Sequence, residues 1–271
     1  MTVRTSRLGL CACLLVGAHA AAFGATAQAE PAGAAEPAGA SAPGTAGPAL
    51  AGGAATPAAA VVLSNDRTST TWAHPVIEAG IRARPSPRSR LLARTHLTTE
   101  DGFPEVYLLL SSSTDSGGRE WVRMRIPGRP NGRIGWVPRE ALGELHVTHW
   151  VIDVSLAARR LRAYYRGHLR LSAPVGVGKP GTPTPTGHFW IRERFHISER
   201  SNPYWPWALG TSDYSTLSEW PGGGVIGIHG DFGDPAAIPG DPSHGCIRMH
   251  DADLAWLAPR IQLGTPVDVT A

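Results

Sequence analysis

From about Ser64 onward the chain is written in short apolar runs separated by turn signals, and this pattern restricts the fold more than any other feature. In "WVRMRI" (residues 121–126), Val122, Met124 and Ile126 alternate with Trp121, Arg123 and Arg125. A period of two is that of a half-buried strand. "PNGR" at 130–133 follows, an Asn-Gly pair between two such runs, which is a strong hairpin signal. "GIRARPSPRSRLLA", "EVYLLLSS" and "RIGWVP" complete a first group of β-like pieces. "HWVIDVS", "RLRAYYR", "HLRLSAPVGVG", "HFWIRERFHI" and "GGVIGIHG" form a second, and "TPVDVTA" adds a closing strand. Helical spacing is expected at residues 251–261, where Leu254, Leu257, Ala258 and Ile261 share a face and Asp251 is placed to cap. The expectation is a mainly β protein with one short helix late in the chain.

The first sixty residues are of another kind. Arg4 and Arg7 precede the run "LGLCACLLVGAHAAAF", and "AQA" before Glu30 has the small-x-small pattern of a signal-peptide cleavage site. Residues 1–29 are therefore read as an export signal, with a retained anchor as the alternative. Residues 30–63 are mainly Ala, Gly, Pro, Ser and Thr, too poor in apolar surface to offset the entropy of ordering, and are read as a disordered linker. An exported protein of this kind is placed in the periplasm or cell wall.

The chain has three cysteines, and removal of the signal would take Cys11 and Cys13, leaving Cys246 as the sole thiol. A lone cysteine in an exported protein is either an inert buried thiol or a reactive one. Its setting is "PSHGCIRMH". If that stretch is extended, His244, Cys246 and Arg248 point the same way, and a nearby cation favours the thiolate. Gly245 removes bulk beside the sulfur, and "IGIHGD" upstream delivers His229 to the end of an apolar run as a second candidate base. The net charge of +3 is small, and Lys179 is the one lysine among 25 basic residues. With no basic cluster interleaved with aromatics, nucleic acid is not an expected partner.

"IHG", then thirteen residues after His229, then "SHGCIRM" resembles the active-site signature of the YkuD-type L,D-transpeptidase catalytic domain. The resemblance runs over about 148–271 and includes Thr184, Pro185, Gly187 and Phe189 of the family's Thr-Pro-x-Gly-x-Phe turn. The gap "GDFGDPAAIPGDP" is at the short end of the family's range. Upstream, "RARPSPRSRLL" and "GRIGWVP" resemble a bacterial SH3-like domain. The expected organisation is thus a small SH3-like β-barrel over 64–146, then a β-rich YkuD-type sandwich over 147–271 with a short helix after the cysteine.

The resemblance implies a role for each motif residue. Cys246 is the nucleophile, His229 its base, and Gly230 orients that histidine through its carbonyl. Ser243, His244 and Gly245 shape the pocket, with N–H groups near Gly245 and Cys246 serving the oxyanion. Arg248 holds substrate carboxylate or backbone oxygens. Trp205, Trp207 and Trp220, in the segment before His229, are candidate substrate contacts or else fill a local core. The implied reaction is acyl transfer from a peptidoglycan tetrapeptide stem, releasing D-alanine, to an amine acceptor, without metal or other cofactor. The acceptor is a second stem, an envelope-protein lysine, a free D-amino acid or water, the last making the protein a carboxypeptidase. Four rival readings are weighed: a zinc peptidase using His229, Asp231, His244 and His250, whose spacing fits no recognised zinc motif; a sortase; an NlpC-type peptidase, in which the cysteine precedes the histidine; and a non-catalytic wall-binding protein.

Overall fold

The computed structural model describes residues 60–219 and 221–271. The expected signal peptide, most of the expected linker and Trp220 lie outside the described residues. Two sheets account for the rest. The first contains β1 (Val61–Val62), β2 (Thr70–Ala73), β3 (Gly80–Arg82), β4 (Leu91–Arg94), β5 (Tyr107–Thr114), β6 (Glu120–Arg125), β7 (Ile134–Pro138) and β8 (His146–Thr148). Its order is β4-β3-β7-β6-β5-β2-β8, with β1 on β5. Val61 and Val62, at the end of the stretch read as linker, pair with Ser112 and Ser111 of β5. The expected boundary at 146/147 falls inside β8, which pairs with β2.

The second sheet contains β9 (Trp150–Ser155), β10 (Arg160–Tyr165), β11 (His168–Gly178), β12 (Gly187–His196), β13 (Trp207–Tyr214), β14 (Val225–His229), β15 (Gly240–Ser243), β16 (Ile247–Met249) and β17 (Pro266–Thr270). Its order is β10-β9-β17-β12-β13-β14-β16-β11-β15, and β10 also pairs with β11. That last pairing closes the strands into a ring with β15 appended to β11, so the main edge is consumed rather than left open. The inward positions are the alternating apolar ones. Ile152 and Val154 of β9, Leu161 and Ala163 of β10, Val175 and Val177 of β11, and Val267 and Val269 of β17 form one buried cluster.

The helix α1 (Asp251–Leu257) plugs this cluster with Leu254 and Leu257, and Ala258 and Ile261 follow on the same face, all four fully buried. The expected cap is corrected: His250 stands at the N-cap without a side-chain cap bond, and Asp251 is already helical. Asp251 Oδ1 instead accepts the Asp231 N–H, 3.1 Å. The helix stops early because Pro259 has no N–H to continue the ladder.

The two sheets share a buried seam. Trp190 of β12 packs with Val106 and Leu108, and its indole N–H donates to Val106 O, 2.7 Å. Beside it Arg192 donates from Nε to Glu105 Oε1, 2.7 Å, and from Nη2 to Glu105 Oε2, 2.5 Å. Both side chains of this pair are 2% exposed. Removing one partner of a buried pair costs about 3–5 kcal/mol, and without Glu105 the buried Arg192 keeps only the partly exposed Glu100, 3.1 Å away. Glu105→Ala is therefore expected to lower unfolding stability by about 3 kcal/mol or more in urea titrations. Glu140→Ala, which breaks the exposed Arg119 pair, is expected to change it little.

Candidate active site

Strand β14 carries alternating burial, with Ile226 and Ile228 inward and His229 at its end. It pairs in parallel with β16, Ile228 opposite Ile247 and His229 opposite Arg248. Cys246 immediately precedes β16, so this pairing carries the sulfur to the flank of β14. There the Gly227 N–H donates to Cys246 Sγ, 3.4 Å. His229, Ser243, His244, Cys246 and Arg248 line one cavity of about 260 Å³, together with Tyr204, Phe232, Ser215, Gly224, Val225 and Ile226.

Two glycines make the approach possible. A Cβ on Gly230 would run into Trp205 O and Asp251 Oδ1, and one on Gly245 would lie 2.6 Å from Ile226 Cδ1. Gly245 also sits at φ +128°, a region L side chains rarely adopt. The chain through Gly245 is therefore not extended, and simple alternation is not what brings His244, Cys246 and Arg248 to one cavity. A set of short bonds holds the bend instead. Ser243 Oγ donates to Cys246 O, 2.6 Å, and accepts the Gly245 N–H, 3.1 Å. Thr184 Oγ1 donates to Gly245 O, 2.7 Å, and accepts the Gly178 N–H, 2.9 Å. Thr184 belongs to the Thr-Pro-x-Gly turn and is the residue through which that turn reaches the site.

The two histidines differ in what holds them. His229 is 3% exposed, and its Nδ1 lies 2.9 Å from Gly230 O. A carbonyl can only accept, so Nδ1 carries the proton and Nε2 is left as the basic nitrogen. Burial holds this imidazole down at about 4, with the Arg248 cation acting in the same direction. Tyr204 meets His229 edge to face at 5.0 Å, and Phe232 lies 6.0 Å from it. His244 is exposed, and the Lys179 ammonium donates to its Nε2, 2.9 Å.

The sulfur is not the stabilised thiolate that the neighbouring cation suggested. Burial pushes the Cys246 thiol up, outweighing the Gly227 N–H and Arg248, and Asp213 adds to the rise. Asp213 on β13 is 1% exposed, and burial pushes its carboxyl up to about 8 against the bond from Asn131. Nothing in its sequence neighbourhood, "GTSDYS", pointed to the site. Arg248 stacks under Phe232, 4.6 Å from Cζ to the ring centre, and its buried Nε has no partner among the described residues.

Other expected contacts fall elsewhere. Trp205 and Trp207 do not line the cavity: Trp205 stacks with Arg200, 4.7 Å, and Trp207 packs on the core and beside His196. The aromatic lining comes from Tyr204 and Phe232. Among the described residues no three His, Cys, Asp or Glu side chains are grouped to hold a metal ion, so His229, Asp231, His244 and His250 are not assembled as a zinc set.

The Asp213 charge gives the site a test. Above about pH 8, where the Asp213 carboxyl is ionised, Asp213→Asn removes an anion that opposes the thiolate while keeping the shape of the side chain. The pH midpoint of Cys246 alkylation by iodoacetamide is expected to move down in this variant. A midpoint that stays or rises would show that Asp213 does not act on the sulfur.

Residues 149–269 match the family model of the YkuD L,D-transpeptidase catalytic domain. The chain is 38% identical over 119 residues to the YkuD protein of Bacillus licheniformis, a match covering 44% of this chain and 64% of that one. It is 36% identical over 118 residues to the Bacillus subtilis protein, with the same coverage. With L,D-transpeptidase 1 of Mycobacterium tuberculosis it shares 25% over 172 residues, 57% of this chain and 66% of that one. The chain thus spans just under two thirds of the length of the curated relatives it matches. A solved mutant L,D-transpeptidase from Enterococcus faecium is 26% identical, covering 44% of this chain and 49% of that one, with a TM-score of 0.36. The matched span, residues 149–269, contains His229, the Ser243–Gly245 bend and Cys246, and is similar to the YkuD L,D-transpeptidase catalytic domain.

Proposed function

We propose that this protein is an exported peptidoglycan L,D-transpeptidase that works by cysteine acyl transfer. The observation that carries the reading is the neutral, buried His229, its Nδ1 proton tied to Gly230 O, in one cavity with Cys246. A raised thiol beside a depressed imidazole disfavours a resting thiolate–imidazolium pair. The proton therefore leaves sulfur as attack proceeds, moving from Sγ to His229 Nε2 by general-base catalysis.

Sulfur adds to the carbonyl of the third residue of a tetrapeptide stem, and the C=O pair moves to oxygen. Gly245 N–H is engaged by Ser243 Oγ, so the oxyanion is assigned to the Cys246 N–H. Collapse breaks the C–N bond, and the His229 imidazolium returns its proton to the departing D-alanine amine. The acceptor amine then attacks the thioester, loses its proton to His229, and expels the Cys246 sulfur, which takes that proton back from the imidazolium and restores the neutral pair. Arg248, its Nε unpartnered and its guanidinium over the Phe232 ring, receives a substrate carboxylate or carbonyl. The hydrogen bond from Lys179 to His244 Nε2 occupies the lone pair a base would need, which favours His229 for that role.

Intact mass after incubation with a carbapenem, and separately with tetrapeptide-stem muropeptides, tests the reading. One adduct on Cys246 and release of D-alanine are expected, both abolished in Cys246→Ala. His229→Ala is expected to slow acylation by roughly 100-fold or more, the usual worth of a general base, and His244→Ala far less. An unmodified protein that releases nothing contradicts the enzymatic reading, and a larger loss in His244→Ala than in His229→Ala reverses the assignment of the base.

A further inference from the structure

The turn between β6 and β7 in the first sheet reaches the wall of the cavity in the second. Arg129 donates from Nε and Nη2 to Ser215 O, 2.9 and 2.6 Å, and from Nη2 to Gly223 O, 2.9 Å. Its guanidinium also lies 5.1 Å from the Tyr214 ring centre. Two residues on, Asn131 donates from Nδ2 to Asp213 Oδ1, 2.7 Å, and to Tyr214 O, 3.0 Å, and its Oδ1 accepts the Tyr214 N–H, 3.2 Å.

These bonds fall where the sheet supplies least. The β13–β14 ladder breaks register between Gly210 and Tyr214, and the β12–β13 register shifts between Ile191 and Glu193. One Asn side chain thus satisfies both backbone polar groups of Tyr214, as a neighbouring strand would. Beyond Tyr214, Ser215 and Gly224 are tied by the Ser215 N–H to Gly224 O bond, 2.8 Å, and both line the cavity with Cys246. A Cβ on Gly224 would lie 2.6 Å from Arg129 Nη2, so the guanidinium packs directly on the backbone there. From Ser215 the contact passes to the nucleophile's bend: a Cβ on Gly245 would be 3.9 Å from Ser215 Cβ.

We infer that Arg129 and Asn131 are positioning residues of the active site, holding the wall formed by Asp213–Ser215 and Gly223–Gly224 against Cys246 so that the first sheet completes the acyl-donor pocket. The inference rests on the cysteine reading above and extends it to residues more than eighty positions away in sequence. The forked guanidinium suits the task because it can span two carbonyls at once, which an ammonium cannot do with the same geometry.

The full chain is compared with Arg129→Ala, Arg129→Lys and Asn131→Ala, using a carbapenem as the shaped acylating reagent and iodoacetamide as a small one. A displaced wall penalises the shaped reagent selectively. Carbapenem acylation of Cys246 is expected to fall by about tenfold or more in both alanine variants while iodoacetamide alkylation stays within about twofold, since misplacement of even ~1 Å is costly for an oriented reaction. For stem turnover, the loss is expected mainly in kcat/KM, and Arg129→Lys is expected to recover only part of it. Carbapenem rates that do not change, or rates for both reagents that fall together, overturn the inference. If an alanine variant fails to fold, Arg129→Lys decides alone, and full recovery of carbapenem acylation by it counts against the fork. The unaltered protein separates the two levels. No carbapenem adduct on it contradicts the catalytic reading, whereas an adduct retained at full rate in the variants contradicts only the role of the turn.

Discussion

The parallel pairing of β14 with β16 is the constraint on which the site depends. It places Ile228 beside Ile247 and His229 beside Arg248, and because Cys246 stands one residue before β16, it also sets the sulfur under the Gly227 N–H. Neither strand is long enough to hold this arrangement alone. They sit between β13 and β11 in a ring of strands closed by β10 and β11, and Ile228, Ile247 and Met249 join the same buried cluster as α1. The glycines at 230 and 245 are consequences of the pairing: each marks a place where the backbone passes too close to a neighbour for any Cβ.

Burial then decides the electrostatics. Arg248 favours both a charged Cys246 and an uncharged His229, but desolvation is the larger influence on each, and it raises the thiol while it lowers the imidazole. Both effects favour the neutral forms. A site arranged this way is quiet until a substrate carbonyl arrives to take the electron pair, and a thiol kept protonated resists adventitious oxidation, which needs thiolate. Asp213 adds to the same restraint once it ionises above about pH 8, and its partner Asn131 comes from the other sheet.

The sequence made the strands legible because their packing is local in pattern. Alternation in "WVRMRI" matches burial of Val122, Met124 and Ile126 and exposure of Arg123, and the Asn-Gly pair lies in the connection between β6 and β7. The Ser-His-Gly-Cys motif with its upstream His-Gly named the residues that line the cavity. Less legible was anything that depends on where distant segments meet. Asp213, Arg129 and Asn131 have polar neighbours and no motif, and only the docking of the two sheets joins them. Trp205 and Trp207, in the segment before His229, are candidates for substrate contact or for a local core, and sequence cannot say which face a ring takes. Tyr204 and Phe232, both exposed, are the ones that line the cavity, Phe232 with a left-handed backbone at φ +65°. The cation at i+2 is visible in sequence and does favour the thiolate, while the burial that outweighs it is not.

The central claim is that a buried, neutral His229 takes the Cys246 proton during attack. The pH dependence of carbapenem acylation under pseudo-first-order conditions tests it most directly. With His229 held down at about 4, the rate is expected to keep its value from neutral pH down to about pH 5 and to fall only as the imidazole protonates near 4. An acid limb near the ordinary histidine value of about 6.5, still present in His244→Ala and absent in His229→Ala, would show a solvated, readily charged base and contradict the account.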